Sequence, residues 1–477
     1  MGKIKMRHIG KNYLYNTIYN ILSIIIPLVT TPYISRVLGP EGVGKYSYTY
    51  SIAYYFILFT MLGLSRYGNR TIAICRDNKQ ELSKTFCEIY AMQVMTGVLS
   101  ICIYCLFTKY IFHGYSGLFK IQSLYVVSAL FDITWFFAGV ENFGVMVCRN
   151  IVIRLCNLVL IFVLVKSSED IDIYCLIMAG SLLLSQISLW PILLKRYIKI
   201  NIPKLHNIKK HVKSNLILFI PTISVSVYKV MDKIMLGYLV SDLSVGFYEN
   251  AEKIVNLPLI FVTSLSTVML PQMSNVIAAG NVEKEKQYID KSMIFTLWLS
   301  TGMCFGIIGI ADKFIPFFLG ESFMECTKLI YILTPTVIFI SCGSVISNQI
   351  LVPHKKDFNY IIIVSMGAII NLILNLITIP NFKHQGAALA TLATEITVLV
   401  GYITCVKTVF SFRKYVKLEI IFLLSGIIMF YIVKVSCNYL SDVLIMLICK
   451  VVIGMLIYLS ITMGVFKLSN YRNFLLK

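Results

Sequence analysis

The sequence predicts an all-α polytopic membrane protein, and three observations carry that reading. The chain is 57% hydrophobic. Only 14% of it is charged, where soluble domains hold roughly 25%. Apolar runs of roughly 20 residues, the length of helix that crosses a bilayer core, recur from one end to the other. The longest connector, residues 195–213, is too short to fold as a soluble domain.

Taken in order, the runs predict about fourteen spanning helices. Their spans are 13–35, 46–64, 86–108, 121–140, 150–166, 172–194 and 214–238, then 248–270, 292–311, 327–350, 358–379, 385–405, 418–434 and 443–466. The first follows the basic stretch MGKIKMRHIGK, lacks a small-residue cleavage site and holds Pro27 and Pro32. It reads as an uncleaved helix rather than a signal peptide. Pro221, Pro258 and Pro335 interrupt later helices. Such breaks are tolerated in membranes where neighbours or water satisfy the freed carbonyls.

The net charge of +20 could suggest nucleic acid, but most of the 43 basic residues lie between apolar runs. There they act as topology determinants. One alternate set of connectors holds Lys3, Lys5, Arg7 and Lys11, then Arg66, Arg70, Arg76, Lys79 and Lys84, then Arg149 and Arg154. It continues through 195–213, Lys284, Lys286, Lys291, Lys355 and Lys356. It ends with Lys407, Arg413, Lys414, Lys417 and the tail Lys467, Arg472 and Lys477. Basic loops stay in the cytoplasm, so both termini are expected there, in a plasma-membrane protein.

Two halves are visible. Leu38-Gly39 followed by Val43-Gly44-Lys45-Tyr46 returns as Leu236-Gly237 followed by Val245-Gly246-Phe247-Tyr248. Pro27 and Pro221 sit inside the corresponding helices. An even number of helices per copy gives parallel repeats about an axis along the membrane normal, as in alternating-access transporters. The expected divisions are an N-terminal lobe at 1–200, a basic linker at 201–213, a C-terminal lobe at 214–410, and two further helices with a tail at 411–477.

The thirteen cysteines are scattered. Cys102 and Cys105 share a hydrophobic helix with no second pair, which reads as packing rather than metal or redox chemistry. No metal-ligand cluster, nucleophile–base pair or phosphate-cradling glycine loop appears, and His113 and His384 are isolated. The chain reads as a non-enzyme with no cofactor.

Charge inside the membrane is costly and points to function by default. In the stretch 214–239, Lys229, Asp232 and Lys233 share one helical side. They either face protein or water within the bilayer or are lysines snorkelling from a helix end. Glu395 lies roughly 15 Å from each end of its span at 1.5 Å per residue, too deep to snorkel. It suits carrying a proton or holding a cation, or a structural hydrogen bond to a neighbour. Gly386, Ala390 and Thr394 form a small-residue stripe beside it. Asp132 also lies within a span, with Trp135 and the phenylalanines around it reading as packing. Arg36 closes the first helix and either receives an anion or sits in the headgroups. Lys45, Glu249, Glu252, Lys253 and Lys450 are interfacial by depth.

At RVLGPEGVGKY (36–46) and FDITWFFAGVENF (131–143) the sequence resembles the oligosaccharide flippases of the multidrug/oligosaccharidyl-lipid/polysaccharide exporter superfamily. GLSRYGNRTIA (63–73), DKIMLGYL (232–239) and MLPQMSN (269–275) resemble it too, and the similarity covers essentially the whole chain. It departs at Ala138, where the pattern has glutamine. The resemblance implies two six-helix lobes forming a V around a cationic cavity, plus two C-terminal helices. It implies flipping of undecaprenyl-pyrophosphate-linked repeat units for O-antigen or capsule assembly. Polymerase and chain-length proteins are the expected partners, along with membrane lipid. By position, Arg36, Lys229 and Lys233 become candidates for the pyrophosphate. Asp132, Asp232 and Glu395 become candidates for coupling to protons or sodium. A drug/cation antiporter of the same superfamily would instead rely on the carboxylates. A polysaccharide polymerase would need larger outward loops than these.

Overall fold

The computed structural model describes the backbone of residues 2–111, 115–407, 413–438 and 440–468. The side chains of residues 2–21, 23, 24, 111, 413, 467 and 468 lie outside the description. So do His113, the basic side chains of the N-terminal stretch, and the tail residues Lys467, Arg472 and Lys477.

The described chain is helical, with no strand. In order the helices are α1 (Gly2–Met61), α2 (Leu64–Cys75), α3 (Lys79–Ile111), α4 (Ser116–Leu130) and α5 (Thr134–Gly139). There follow α6 (Phe143–Leu164), α7 (Ile171–Ile187), α8 (Trp190–Arg196), α9 (Leu205–Leu239), α10 (Asp242–Ala278) and α11 (Val282–Phe318). The chain closes with α12 (Glu325–Leu333), α13 (Thr336–Ile346), α14 (Asp357–Val406), α15 (Arg413–Val435) and α16 (Val443–Leu468). Among the described residues, 11 helical stretches are long and apolar enough to cross a membrane.

Two of the longest helical runs are broken by one residue each. In α1, Gly39 adopts φ 66° and ψ 177°. That left-handed φ costs glycine little, and Pro40 follows at the first turn of the next segment, where its missing N–H is not needed. In α14, Lys383 takes φ 52° and ψ −132°. Both residues fall in connectors that the sequence predicts between spans.

Large apolar side chains are exposed along the long helices: Leu99 at 60%, Leu184 at 64%, Ile369 at 59% and Leu456 at 59%. A water-soluble monomer does not spread its apolar surface this way; acyl chains are its natural solvent.

The chain divides into two compact units, Met1–Ser226 and Val227–Lys477. In the first, Trp135, Phe136 and Phe137 are fully buried in a cluster with Leu64, Ile72, Phe86 and Ile89. The aromatic motif therefore serves packing, as the sequence suggests. A β-carbon at Gly68 would lie 2.5 Å from the Trp135 ring, and one at Gly139 would lie 2.7 Å from Ile72. Only glycine lets α2 and α5 approach so closely. In the second unit, α15 and α16 pack against α11. The Tyr458 hydroxyl donates to Trp298 O (2.8 Å), and the Trp298 indole N–H donates to Thr462 Oγ1 (3.1 Å). Lys414 and Tyr415 both bond to Asp290.

Candidate functional site

In unit 2, chemistry-bearing side chains of α9, α10 and α14 gather around Asp232. Asp232, on α9, is 1% exposed. Its carboxylate accepts from the Tyr248 hydroxyl of α10 (2.6 Å), the Thr391 hydroxyl (2.8 Å) and the Asn375 amide. Asn375 also donates to Asn371 Oδ1 at 3.1 Å. Tyr248 and Thr391 share a further hydroxyl–hydroxyl bond of 2.9 Å. A buried carboxylate is tolerated only when its lone pairs are met. Here neutral donors meet them, and no cation pairs with Asp232 among the described residues. Two polar atoms of the cluster, Asn375 Oδ1 and Asn371 Nδ2, are buried without a partner.

One turn back along α9, Lys229 is exposed and makes no hydrogen bond or ion pair among the described residues. Its charge acts on Glu395, which stands one turn beyond Thr391 and is 8% exposed. The structure thus brings Lys229, Asp232 and Glu395 together along one seam. Lys233 is placed differently. Its ammonium bonds to Glu249 (2.6 Å) and Glu252 (2.8 Å) of α10, and Glu249 also bonds to Lys253 (3.0 Å). Two carboxylates already occupy the Lys233 charge.

In unit 1, Asp132 occupies the break between α4 and α5. Its carboxylate accepts from the Thr134 amide (2.8 Å) and hydroxyl (2.6 Å), which starts the next helical turn. The break frees backbone carbonyls. Gln93 supplies a donor to Ala129 O (2.7 Å) and Asp132 O (2.8 Å), while Trp135 Nε1 donates to Gln93 Oε1 and Asp132 O, both at 3.1 Å. Arg36 is exposed beside the Gly39 break. One turn before it, the Tyr33 hydroxyl donates to Val165 O at the end of α6 (2.7 Å). Between helices, Arg76 donates to Glu141 at 2.7 Å, a bond that holds the guanidinium above its ordinary pKa.

Three groupings escaped the sequence reading. Tyr46, Tyr50 and Tyr54 form a ladder on α1 with ring centroids 5.9 and 6.2 Å apart. Tyr125 joins it, 4.9 Å from Tyr50, with its hydroxyl 2.9 Å from that of Tyr46. The four-residue spacing was the available signal. The buried Glu88 of α3 bonds to Lys210 (2.8 Å) and His211 (3.1 Å) of α9, and His211 Nδ1 meets the Tyr67 hydroxyl (2.6 Å). Finally, an apolar cavity of 520 Å³ lies among α10, α11, α15 and α16, lined by Phe261, Trp298, Gly306, Met429 and Met455, among others. Lys450 also lines it, donating to Lys434 O (3.2 Å) and Asn438 Oδ1 (2.9 Å).

Such an arrangement can hold an anion, hold a small cation among oxygens, and lodge an apolar chain. The family described as polysaccharide biosynthesis protein matches residues 9–277, more than half of the chain. An Escherichia coli (strain K12) protein named O-antigen transporter is 26% identical over 401 residues, covering 83% of this chain and 95% of its own. The capsular polysaccharide biosynthesis protein CapF of Staphylococcus aureus is 23% identical over 419 residues, covering 84% of this chain and 100% of its own. Among solved structures, lipid II flippase MurJ in its inward closed conformation superimposes with a TM-score of 0.71 at 17% identity. That match covers 95% of this chain and 99% of the other.

Proposed function

The chain belongs to the polysaccharide biosynthesis protein family, whose members matched here are transporters and not enzymes, and from that membership we propose that it flips a lipid-linked oligosaccharide across the plasma membrane. The substrate in this reading is an undecaprenyl-pyrophosphate-linked repeat unit of O-antigen or capsule, with polymerase and chain-length proteins of the same pathway as partners. The observation that carries it is the exposed Lys229 on a helix at membrane depth, beside two buried carboxylates. A diphosphate cannot enter hydrocarbon unpaired. A fixed ammonium in a wet site removes that barrier, and the Lys229 ammonium makes no hydrogen bond or ion pair among the described residues.

Lys229 of the second unit binds the diphosphate in this proposal, with Lys233 in reserve behind its two glutamates, and Arg36 of the first unit is a further anion-binding candidate. The tyrosine ladder offers flat, polar-edged faces to sugar rings. The 520 Å³ apolar cavity matches an isoprenoid chain in chemistry. Asp232, Asn371, Asn375 and Thr391 hold the coupling ion, a proton or a sodium ion. Hard cations take oxygen ligands, and the orphaned Asn375 Oδ1 is such a ligand lacking a partner. Alternating access of about fourteen helices in two lobes, with both termini cytoplasmic, completes the proposal.

The test is flipping of a fluorescent polyprenyl-pyrophosphate-linked oligosaccharide in proteoliposomes. Lys229→Ala and Arg36→Ala should each slow it at least tenfold, equivalent to about 1.4 kcal/mol of lost stabilisation. Wild-type rates in both variants, or transport of organic cations in place of the lipid, would overturn the reading.

A further inference from the structure

We propose that Lys229 is shared between Glu395 and the anionic head of the substrate, so that anion binding and proton uptake by Glu395 are one coupled event. This rests on the flippase reading above and deepens it.

The register of two helices carries the argument. Asp232 and Thr391 are hydrogen-bonded at 2.8 Å, which locks α9 against the second segment of α14 at that level. Lys229 precedes Asp232 by three residues, and Glu395 follows Thr391 by four. Those steps lead one turn from the bonded pair on each helix, and the Lys229 charge acts on Glu395 there. Glu395 is 8% exposed and accepts no hydrogen bond among the described residues. Asp232, one turn away, has three donors. The two carboxylates therefore face different groups: Asp232 three neutral donors, Glu395 the charge of Lys229.

The other ionisable groups around Glu395 do not replace the lysine. Tyr228 of α9 and Tyr402 of α14 lie within its field, and Tyr360 lies beside them. Phenols carry no positive charge. Lys233 is held by Glu249 and Glu252. Lys229 alone, on a flexible stem that swings without breaking any other bond, can serve two anions in turn.

When a diphosphate draws the Lys229 ammonium away, the Glu395 carboxylate is left buried with no counter-charge and no donor. It then takes a proton from water, because an unpaired buried charge costs more than neutralisation. Linkage is reciprocal, so a protonated Glu395 releases Lys229 and strengthens anion binding.

The test uses purified full-length protein and inorganic pyrophosphate as the probe. Binding is followed by calorimetry in buffers of different ionisation enthalpy, which counts protons taken up. Pyrophosphate's own protonation is common to all variants and cancels between them. Glu395→Gln should keep pyrophosphate binding and lose the protein's share of the proton uptake. Lys229→Arg should keep both, and Lys229→Gln should lose binding. Equal proton counts in wild type and Glu395→Gln would overturn the coupling while leaving the flippase reading standing. Failure of the wild type to bind pyrophosphate would overturn both. Gel filtration and unchanged binding by Lys229→Arg guard against misfolding as the cause.

Discussion

Gln93 shows how a single buried side chain decides whether a helix can break inside a membrane. Its amide meets the carbonyls of Ala129 and Asp132, and its own oxygen accepts from Trp135. Without water nearby, each unmet group costs about 1–3 kcal/mol. Gln93→Leu should therefore lower the thermal midpoint in detergent clearly, and more than Gln93→Glu. A midpoint equal to wild type would mean that other donors reach those carbonyls. Asp132 belongs to the same junction: its carboxylate accepts from the Thr134 amide and hydroxyl, which gives the charged residue a local structural bond. Glu88 was not legible from sequence. Its partners Lys210 and His211 lie more than a hundred residues away, and no local pattern announces a pairing at that distance.

At the scale of the element, α14 shows what a connector does when it is a single residue. Lys383 at φ 52° places a β-carbon in a region that costs an L-residue roughly 1–2 kcal/mol. Lys383→Gly should relieve part of that and raise the melting midpoint. Gly386, just beyond, has the opposite role: a β-carbon there would come within 2.2 Å of Thr378 O, a backbone atom with no freedom to give. Gly386→Val should destabilise by about 1–3 kcal/mol through overpacking, and should also separate Asn375 from Thr391, loosening the Asp232 cluster. Circular dichroism melts check both, and a stabilising Gly386→Val would contradict the packing. The predicted small-residue stripe Gly386–Ala390–Thr394 thus finds a physical use at its first position, where the two segments of α14 meet.

At the scale of the whole molecule, the sharpest consequence of the proposed transport concerns coupling through the Asp232 cluster. Asp232→Asn keeps the shape of the Asp232 cluster but removes its charge. Flipping by that variant should lose its dependence on a cation gradient, while pyrophosphate still binds; proteoliposomes with and without an imposed gradient decide it. An undiminished gradient effect would exclude Asp232 as the coupling site. Membrane class and helical content were set by the sequence alone, because hydropathy over roughly 20 residues is a local property that any bilayer reads in the same way, whereas the breaks at 131–133, 188–189 and 334–335 fall inside spans that the sequence reads as continuous. The positions of Lys229, Asp232 and Glu395 along their helices were equally legible, since position follows from counting residues. Only the tertiary structure decided which charges are free. Lys233 is held by two glutamates of the next helix, Asp232 by Tyr248 of that helix and by Asn375 and Thr391 of the distant α14, and Lys229 by neither set. Pairing is a property of packing, and packing is what a linear pattern of hydropathy leaves open.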